Sequence, residues 1–419
     1  MFRFIHAADI HLDSPLRGLE QYDGAPVQEI RDAARRALSN LFDLAIAQKV
    51  AFVLIAGDLY DGAWRDYNTG LYFVNQVRRL READIPLYLI SGNHDAANVM
   101  TRTLRMPDNV TFFAADAPET ALIPELDVAI HGQSFATAAV YEDLSEGYPT
   151  AKSGCLNIGM LHTCATGREG HDRYAPCSVE GLKTKGYDYW ALGHVHTREI
   201  LSQQPIIAFP GNIQGRHIRE TGPRGCLLVT VNDDRSMQAD FQALDVLRWD
   251  NAGIDVSGSQ GVDEILDLIA TKIESCHGNA AGRPVALRIE LTGETTAHRE
   301  LHARKDHWTN EIRSLAIDLG KGEVWIEKVR LRTSSPASQP APTNIPDDAM
   351  GELASLFKQA QTDTGRLSEL DFDFSDIARK LPAELKAIAR PDDPEWIREL
   401  LAEAEPLLLS RLAGSEVEE

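Results

Sequence analysis

Nine short apolar runs in the first 245 residues are the feature that most restricts the fold of this chain. Each run is rich in β-branched or aromatic side chains and leads to a turn that bears His, Asp or Asn, a pattern typical of buried strands. We therefore expect polar side chains to collect at strand ends. The runs are Phe2–Ala8, Val50–Ala56, Ile85–Ile90, Val110–Ala114, Val128–His131, Leu156–Leu161, Tyr187–Leu192, Ile206–Phe209 and Cys226–Val231.

A helix is predicted between the first two runs. Within Val27–Lys49, apolar residues recur at helical spacing, at Ala33, Ala37, Leu38, Leu41, Phe42, Ala45 and Ile46. Strand, helix and strand in this order form an α/β unit. The later runs are joined by shorter connections, which favours a second, more antiparallel sheet packed on the first. Residues 1–245 should therefore form a layered α/β sandwich.

The remaining residues divide into three segments. Residues 246–332 predict a small α+β domain, the Pro/Ser-rich residues 333–346 a linker, and residues 347–419 an acidic helical tail. In the small domain we expect strands at Ile254–Val256, Val285–Leu291 and Glu323–Leu331 and helices at Val262–Cys276 and His307–Leu319. The tail predicts helices at Asp347–Gln361 and Ser375–Leu412, the second interrupted by prolines.

Charge and composition narrow the classes of function. With 42 basic and 63 acidic residues the formal net charge is -21, so any contact with nucleic acid must be local. Residues 333–419 carry 8 basic and 18 acidic side chains and are the most acidic part per residue. Five cysteines without a C-x-x-C pair indicate reduced thiols. No apolar run spans a bilayer, and Asp9 comes too soon for a signal peptide, so we expect a cytoplasmic protein.

Five short motifs at the predicted strand ends supply prospective metal ligands. They are Asp9-Ile10-His11, Gly57-Asp58-Leu59-Tyr60-Asp61, Gly92-Asn93-His94-Asp95, Leu161-His162-Thr163 and Gly193-His194-Val195-His196. Two carboxylates, one amide oxygen and four imidazoles without a thiolate suit Mn, Fe or Zn. The seven candidate ligands are Asp9, His11, Asp58, Asn93, His162, His194 and His196.

A pair of metal ions about 3.5–4 Å apart requires a shared carboxylate, and Asp58 is the candidate bridge. Such a pair lowers the pKa of a bridging water, so that hydroxide attacks in line at phosphorus. Glycines precede Asp58, Asn93 and His194, and we expect them to let the backbone turn where the ligands converge. Any one motif is a weak signal, but all five in this order are a strong one.

The motif set DxH, GDxxD, GNHD, H and GHxH resembles that of the calcineurin-like dinuclear metallophosphoesterases. The domain order is similar to that of the SbcD-type DNA repair exonucleases, in particular their bacterial YhaO-like branch. The resemblance covers residues 1 to about 332. It implies a four-layer α/β/β/α sandwich, with residues 246–332 as a domain that caps the DNA end.

The resemblance also implies roles for individual residues. One metal would be held by Asp9, His11, Asp58 and His196, and the other by Asp58, Asn93, His162 and His194. His94 would bind neither metal and would protonate the leaving 3′ oxygen or stabilise the transition state. Asp95 or Asp61 would orient His94. Members of this type cut DNA phosphodiesters with manganese, so the resemblance implies two divalent ions, Mn²⁺.

Partners follow from the same resemblance. The substrate would be DNA, and the tail would dock on an SMC-like ATPase subunit, with a homodimer possible and no membrane contact.

In the loop after GHVH, the residues Arg216, His217 and Arg219 could hold phosphates beside the scissile one. A solvated loop with an ion pair to Glu220 explains the same residues equally well.

Two other functions remain open from the sequence. The same fold and metals could serve a phosphomonoester or a cyclic nucleotide, although the extra domain and tail favour a DNA enzyme. A non-catalytic interaction subunit is the third reading, and an intact His94 weighs against it. The negative charge of the chain predicts a weak isolated subunit whose partner supplies the affinity for DNA.

Overall fold

A computed structural model of the chain describes residues 1–14, 32–61, 67–96, 105–165, 174–336 and 347–362, with a few positions between 397 and 408. The chain divides into a first unit of Met1–Asn251 with His277–Leu287, and a second unit of Ala252–Cys276 with Arg288–Glu419. Most of the predicted linker 333–346 and most of the predicted helical segment Ser375–Leu412 lie outside the described residues.

The described part of the first unit contains twelve strands and four α-helices, and two short 3-10 turns. The strands are β1 Phe2–Ala7, β2 Phe52–Ala56, β3 Leu87–Ile90, β4 Val110–Phe112, β5 Glu119–Ile123, β6 Val128–Gly132, β7 Leu156–His162, β8 Tyr189–Gly193, β9 Glu199–Gln203, β10 Ile206–Phe209, β11 Gly225–Val231 and β12 Met237–Ala243. The helices are α1 Ala33–Gln48, α2 Tyr67–Glu82, α3 Asn93–Ala96 and α4 Val179–Thr184.

These strands form two six-stranded mixed sheets. Their orders are β12-β11-β1-β2-β3-β4 and β5-β6-β7-β8-β10-β9. The prediction of a more antiparallel second sheet is wrong, because each sheet has three parallel and two antiparallel pairs. A crossover through α4 makes β7 and β8 parallel, and β9 pairs outside β10, so that β10 runs parallel to β8.

The two sheets stack face to face. Their inner faces share one apolar cluster, to which Phe4 and Leu54 contribute from the first sheet and Ile158 and Tyr189 from the second. The outer face of the first sheet packs against α1 and α2, and that of the second packs against α4. Because each helix buries one apolar stripe against one sheet, the result is the expected four-layer α/β/β/α sandwich.

Helix α1 shows how the local sequence produces this packing. Six of the seven residues of the predicted stripe are buried, including Leu38, Leu41 and Phe42; Ile46 is only partly buried, and Ala34 is buried as well. The helix ends where Lys49 takes a left-handed conformation, with φ of 49° and its N–H donating to the Ile46 carbonyl. Val50 then donates to the Ala45 carbonyl, and the chain turns directly into β2.

The second unit has a sheet of three strands, the first two of which begin in residues of the first unit. The strands are β13 Arg248–Asp255, β14 Val285–Glu294 and β15 Val324–Ser334, in the order β13-β14-β15. The helices are α5 Val262–Asn279, α6 His298–Ala303, α7 Lys305–Leu319 and α8 Asp347–Thr362. The buried residues of α5 recur every three or four positions, from Val262 through Ile265, Ile269 and Ile273 to Cys276, as in an amphipathic helix packed on one side.

Two properties of the whole described chain bear on its chemistry. The five cysteines form no disulfide bonds, and four of them are buried. In the part of the chain that the structure describes, no helix is both long and apolar enough to cross a bilayer.

A buried ion cluster fixes the end of the first unit. Asp245 has a fully buried side chain, and its carboxylate lies 3.0 Å from Arg248 Nε and 3.3 Å from Arg283 Nε. Arg283 Nε also donates to the Asp245 carbonyl at 2.6 Å. One carboxylate therefore holds the start of β13 and the loop before β14.

We expect Asp245→Asn to lower the free energy of unfolding by about 2–4 kcal/mol, because both arginines lose their buried counter-charge. The change should appear as a lower midpoint of urea denaturation, followed by tryptophan fluorescence. Asp240→Asn on the exposed side of β12 is the matched control and should leave the midpoint unchanged. Equal midpoints for the two variants would show that the cluster does not stabilise the unit.

Candidate metal centre

Seven polar side chains converge where the carboxyl ends of the parallel strands of the two sheets meet. Adjacent parallel strands β1, β2 and β3 lead to Asp9, Asp58 and Asn93, and adjacent parallel strands β7 and β8 lead to His162 and His194. The carboxyl ends of adjacent parallel strands lie at the same edge of a sheet, so the candidate ligands of each sheet form a row along that edge. Stacking of the sheets brings the two rows together.

The candidate ligands themselves make the turns at this edge. Asp9, His11, Asp58 and His194 have φ angles of 52°, 45°, 52° and 99°. Positive φ is unfavourable for residues with a Cβ atom and is found where surrounding structure holds it, often at functional sites. Backbone bonds provide that support, because Asp9 N and His11 N donate to the carbonyls of Gly57 and Asp58 at 3.0 Å.

Two of the three motif glycines are needed because a side chain would not fit there, and only one has a positive φ angle. Gly57 does have a positive φ of 93°, as expected. At Gly92, a Cβ atom would lie 2.6 Å from His162 Cε1 of the other sheet, and at Gly193 it would lie 1.9 Å from the Ala56 carbonyl oxygen. These two glycines allow the sheets to approach closely, which is a reason different from the one that the sequence suggested.

The first group of donors surrounds Asp9 and His11. His11 Nε2 lies 3.1 Å from His196 Nε2 and 3.8 Å from Asp58 Oδ2. His196 Nε2 lies 3.9 Å from Asp9 Oδ1. His11 Nδ1 is buried and lies 3.7 Å from Asp61 Oδ1, beyond hydrogen-bond distance. Two imidazole nitrogens that face each other beside two carboxylates form a mixed N/O donor set.

The second group surrounds Asn93. Its Oδ1 lies 3.0 Å from His162 Nε2 and 3.2 Å from His194 Nδ1. Asp58 Oδ2 is 3.5 Å from His162 Nε2, so this one oxygen lies between His11 of the first group and His162 of the second. Asp58 therefore lies where both groups could share it.

Hydrogen bonds on the far side of two imidazoles fix their orientation. His162 Nδ1–H donates to the Ala56 carbonyl at 3.0 Å, which leaves the lone pair of Nε2 directed into the centre. His196 Nδ1–H donates to Glu220 Oε1 at 2.7 Å, which leaves Nε2 facing His11. Such partners select the tautomer that a metal ligand requires.

The electrostatics of the centre fit cationic occupants. Burial raises the pKa of Asp9 well above its usual value and raises the pKa of Asp58 to about 6. Burial also lowers the pKa of His11 and His196, and that of His162 to about 3, so these imidazoles are neutral. Neutral imidazoles and buried carboxylates form the donor set for divalent metals, which would supply the missing positive charge.

Three clusters of described residues offer ligand atoms within 4.8 Å of one another: Asp9 with His11 and His196; Asp9 with Asp58 and His162; and His11 with Asp58 and His94. The third cluster contains His94, to which the sequence assigned a different role. His94 is the more exposed member, with 38% of its side chain accessible.

His94 is oriented by Asp61. Its Nδ1 lies 3.0 Å from Asp61 Oδ1, and this hydrogen bond raises the pKa of His94. Asp61 also accepts from Ser14 Oγ at 2.6 Å. Burial alone would raise the pKa of Asp61, but the imidazoles of His11 and His94 outweigh it and hold that pKa well below its usual value.

Asp95, the other residue expected to orient His94, instead binds the backbone of two loops. It accepts from the backbone N–H groups of Leu59, Tyr60 and Gly92 at 3.0, 2.9 and 3.2 Å. Burial raises its pKa to about 7. Asp95 therefore joins the loop after β2 to the loop after β3.

Glu220 is a buried residue of the site that sequence reasoning placed only in a solvated ion pair. Besides His196, its carboxylate accepts from Arg216 N at 2.7 Å and from Asn212 Nδ2 at 2.9 Å. The hydrogen bond from His196 and the charge of Arg216 overcome burial and lower the pKa of Glu220. No motif marks this residue, because its pairing with His196 spans 24 positions of the chain.

The three candidate substrate contacts have different surroundings. The guanidinium of Arg216 lies between carboxylates, with Nη1 3.6 Å from Asp61 and Nη2 3.5 Å from Glu220, and its Nε has no partner among the described residues. His217 is half-buried, with Nε2 3.7 Å from Glu220. Arg219 is exposed. Only Arg216 reaches the groups that surround His94.

Two other histidines have structural partners. His6 is buried, with Nε2 donating to the Leu192 carbonyl and Nδ1 accepting from the Tyr189 hydroxyl, and burial lowers its pKa to about 3. His131 bonds to Thr120 and Asn157.

Comparison with known protein families gives two matches. The profile of calcineurin-like phosphoesterases matches residues 2–198. The profile of the middle domain of the metallophosphoesterase YhaO matches residues 249–334.

Comparison with curated proteins gives relatives of two kinds. The uncharacterized metallophosphoesterase YhaO of Bacillus subtilis is 35% identical over 333 residues, which is 78% of this chain and 80% of that protein. The DNA double-strand break repair protein Mre11 of Sulfurisphaera tokodaii is 27% identical over 207 residues, 47% of this chain and 50% of that protein. Mre11 of Saccharolobus solfataricus is 26% identical over 219 residues, which is 51% of this chain and 54% of that protein.

Metal binding is predicted to depend on Asp58 and Glu220 in different ways. Titration with Mn²⁺ by calorimetry should give two ions per wild-type chain, and Asp58→Ala should weaken both, because the bridge is lost. Glu220→Ala should weaken one ion about 10–100-fold by releasing His196. Asp240→Asn, which is remote from the site, should bind as the wild type does. If Asp58→Ala weakened the binding of only one of the two ions, the bridging position would be contradicted.

Proposed function

Because the chain belongs to the calcineurin-like metallophosphoesterases, we propose that it is a metal-dependent nuclease that hydrolyses DNA phosphodiester bonds in DNA repair. The proposed activity is that of an exonuclease with some endonuclease activity, supported by two Mn²⁺ ions. The observation that carries the proposal is the His94 imidazole, held by Asp61 at the accessible edge of the seven clustered donors.

The chemistry proposed for the chain's own residues follows from their positions. When bound, a pair of divalent cations activates a water for attack at phosphorus and neutralises charge on the phosphate. Asp9, His11, Asp58 and His196 would hold one ion, and Asp58, Asn93, His162 and His194 the other. The Nδ1–H of His94 is engaged by Asp61, so Nε2 is the atom that would give a proton to the leaving 3′ oxygen.

Nucleic acid as the substrate is supported by two observations. Two of the relatives are named for the repair of DNA double-strand breaks. The chain also carries a second unit with its own sheet and helices, which a small-molecule phosphatase does not need. A phosphomonoesterase or cyclic-nucleotide phosphodiesterase is the alternative that uses the same metals.

The proposal includes partners and a compartment. The acidic tail, with a net charge of -10 from 8 basic and 18 acidic residues, would dock on a basic surface of an SMC-like ATPase subunit. In α8, Leu356 is 51% exposed and is available to such a partner. We include a possible homodimer, and a cytoplasmic location, in which the five thiols would stay reduced.

His94→Ala tests the reaction. We expect the wild type to degrade end-labelled duplex or single-stranded DNA with Mn²⁺, and the variant to lose about 10²–10⁴-fold in kcat, because it lacks the proton donor. Calorimetry should show that the variant still binds both ions. A phosphomonoester assayed in parallel should be a poor substrate.

Other outcomes lead to the alternative functions. Turnover of the monoester alone would assign a phosphatase. No turnover with both metals bound would indicate a non-catalytic subunit or one that requires its ATPase partner.

Arg216→Ala tests the proposed phosphate contact. Its guanidinium lies 3.5–3.6 Å from two carboxylates, and Nη2 is also 3.2 Å from His196 Nδ1, so the charge is placed beside the candidate metal ligands, where a phosphate oxygen would bind. We expect a higher KM for DNA and a log–log salt dependence of KM that is shallower by about one unit. Arg78→Ala, in an exposed pair on α2, is the control. An unchanged salt slope would place the Arg216 charge outside the substrate interface.

A further inference from the structure

The aromatic residues Tyr141 and Tyr174 lie beside the candidate metal centre and have no part in the proposed chemistry. The Tyr174 ring contacts the His194 imidazole edge-on, with centroids 5.9 Å apart. The Tyr141 ring lies 5.8 Å from that of Tyr174. Two ring contacts thus lead outwards from a candidate metal ligand to Tyr141, whose residue surface is 70% exposed.

Backbone bonds fix this aromatic pair to the end of β7. The Tyr174 carbonyl accepts from Cys164 N at 3.0 Å, and Thr163 Oγ1 donates to the Ala175 carbonyl at 2.6 Å. Ala175 N in turn donates to the Val140 carbonyl at 2.7 Å. The segments that carry Tyr141 and Tyr174 are therefore joined to each other and to the strand that ends in His162.

The same segments contain backbone that is unfavourable for their residue types. Ala165 and Ala175 are buried and have φ angles of 28° and 40°. An alanine at positive φ persists only where the surrounding structure holds it, and such residues cluster at ligand sites. The fold therefore keeps Tyr174 against His194 despite this local cost.

We propose that Tyr141, supported by Tyr174, is a stacking subsite for an unpaired nucleobase next to the scissile phosphate. The inference rests on the proposed function and adds to it a substrate class, a single-stranded or unpaired nucleic acid end. A base inside a duplex already stacks on its neighbours and cannot offer its face to a side chain. An exposed aromatic ring accepts any base, so this subsite has little sequence preference.

The charge of the protein makes such a contact useful. Phosphates are repelled by a chain of net charge -21, but a nucleobase is neutral. Stacking therefore contributes affinity that salt screening does not remove, in contrast to the contact proposed for Arg216. The two contributions can be separated by experiment.

The test compares Tyr141→Ala with the wild type on two probes. One is a short single-stranded oligonucleotide, and the other is the same oligonucleotide with abasic sites at its terminal nucleotides. We expect Tyr141→Ala to raise KM for the normal oligonucleotide roughly 5- to 150-fold, with kcat nearly unchanged and the factor equal at low and high salt. The wild type should lose a similar factor on the abasic probe, and Tyr141→Ala should not distinguish the probes.

Two variants serve as controls. Tyr141→Phe keeps the ring and should keep the preference for the normal probe. Leu122→Ala removes another exposed apolar side chain, which is 46% accessible on β5, and should behave as the wild type does. Anisotropy of a labelled oligonucleotide in the presence of a chelator gives the same comparison as a Kd, without hydrolysis.

The possible failures are distinguishable. If the wild type cleaves both probes with equal KM, or if Tyr141→Ala still prefers the normal probe, the stacking subsite is overturned and the nuclease stands. If the wild type neither binds nor hydrolyses any nucleic acid, the proposed function is overturned, and the subsite with it.

Discussion

Asp9 and Asp58 are two carboxylates buried together where the sheets meet, and most of the site depends on them. Burial without a matching cation is unfavourable, which is why the pKa values of both groups are raised. Each carboxylate also holds the backbone that presents the next functional residue. Asp9 accepts from His194 N at 3.1 Å, and Asp58 accepts from His94 N at 3.0 Å. The same carboxylates that would bind metal therefore also position a candidate metal ligand and the candidate proton donor.

A second set of carboxylates, outside the donors, controls the imidazoles. Asp61 engages His94, and Glu220 engages His196, in each case at Nδ1. Both acids have lowered pKa values and remain charged, whereas the pKa values of Asp9 and Asp58 are raised. Arg216 lies between Asp61 and Glu220 and connects their charges. The site thus combines inner carboxylates that need cations with outer carboxylates that already have positive or hydrogen-bonding partners.

Much of the fold could be predicted from the sequence because its signals are local. The run Ile206–Phe209 is β10 without change, and Leu156–Leu161 differs from β7 by one residue. Strand direction could not be read in this way, since β8 and β10 are parallel only because β9 pairs outside them. The motifs predicted which side chains gather, because parallel strands end together. Glu220 and Tyr141 were outside that logic, since their positions depend on contacts with residues far along the chain.

Substrate recognition by an acidic chain requires that attraction be confined to the site. At physiological ionic strength charges are screened over roughly 8–10 Å, so acidic residues far from the centre oppose a bound phosphate only weakly. Within that distance, the candidate metals, Arg216 and the carboxylates of Asp61 and Glu220 would determine the local field, while the remaining surface slows the approach of a polyanion. An attractive site within a repulsive surface favours contacts that act only after the substrate has reached the site. For the proposed DNA substrate, a partner that increases its local concentration would contribute more than a broad basic surface.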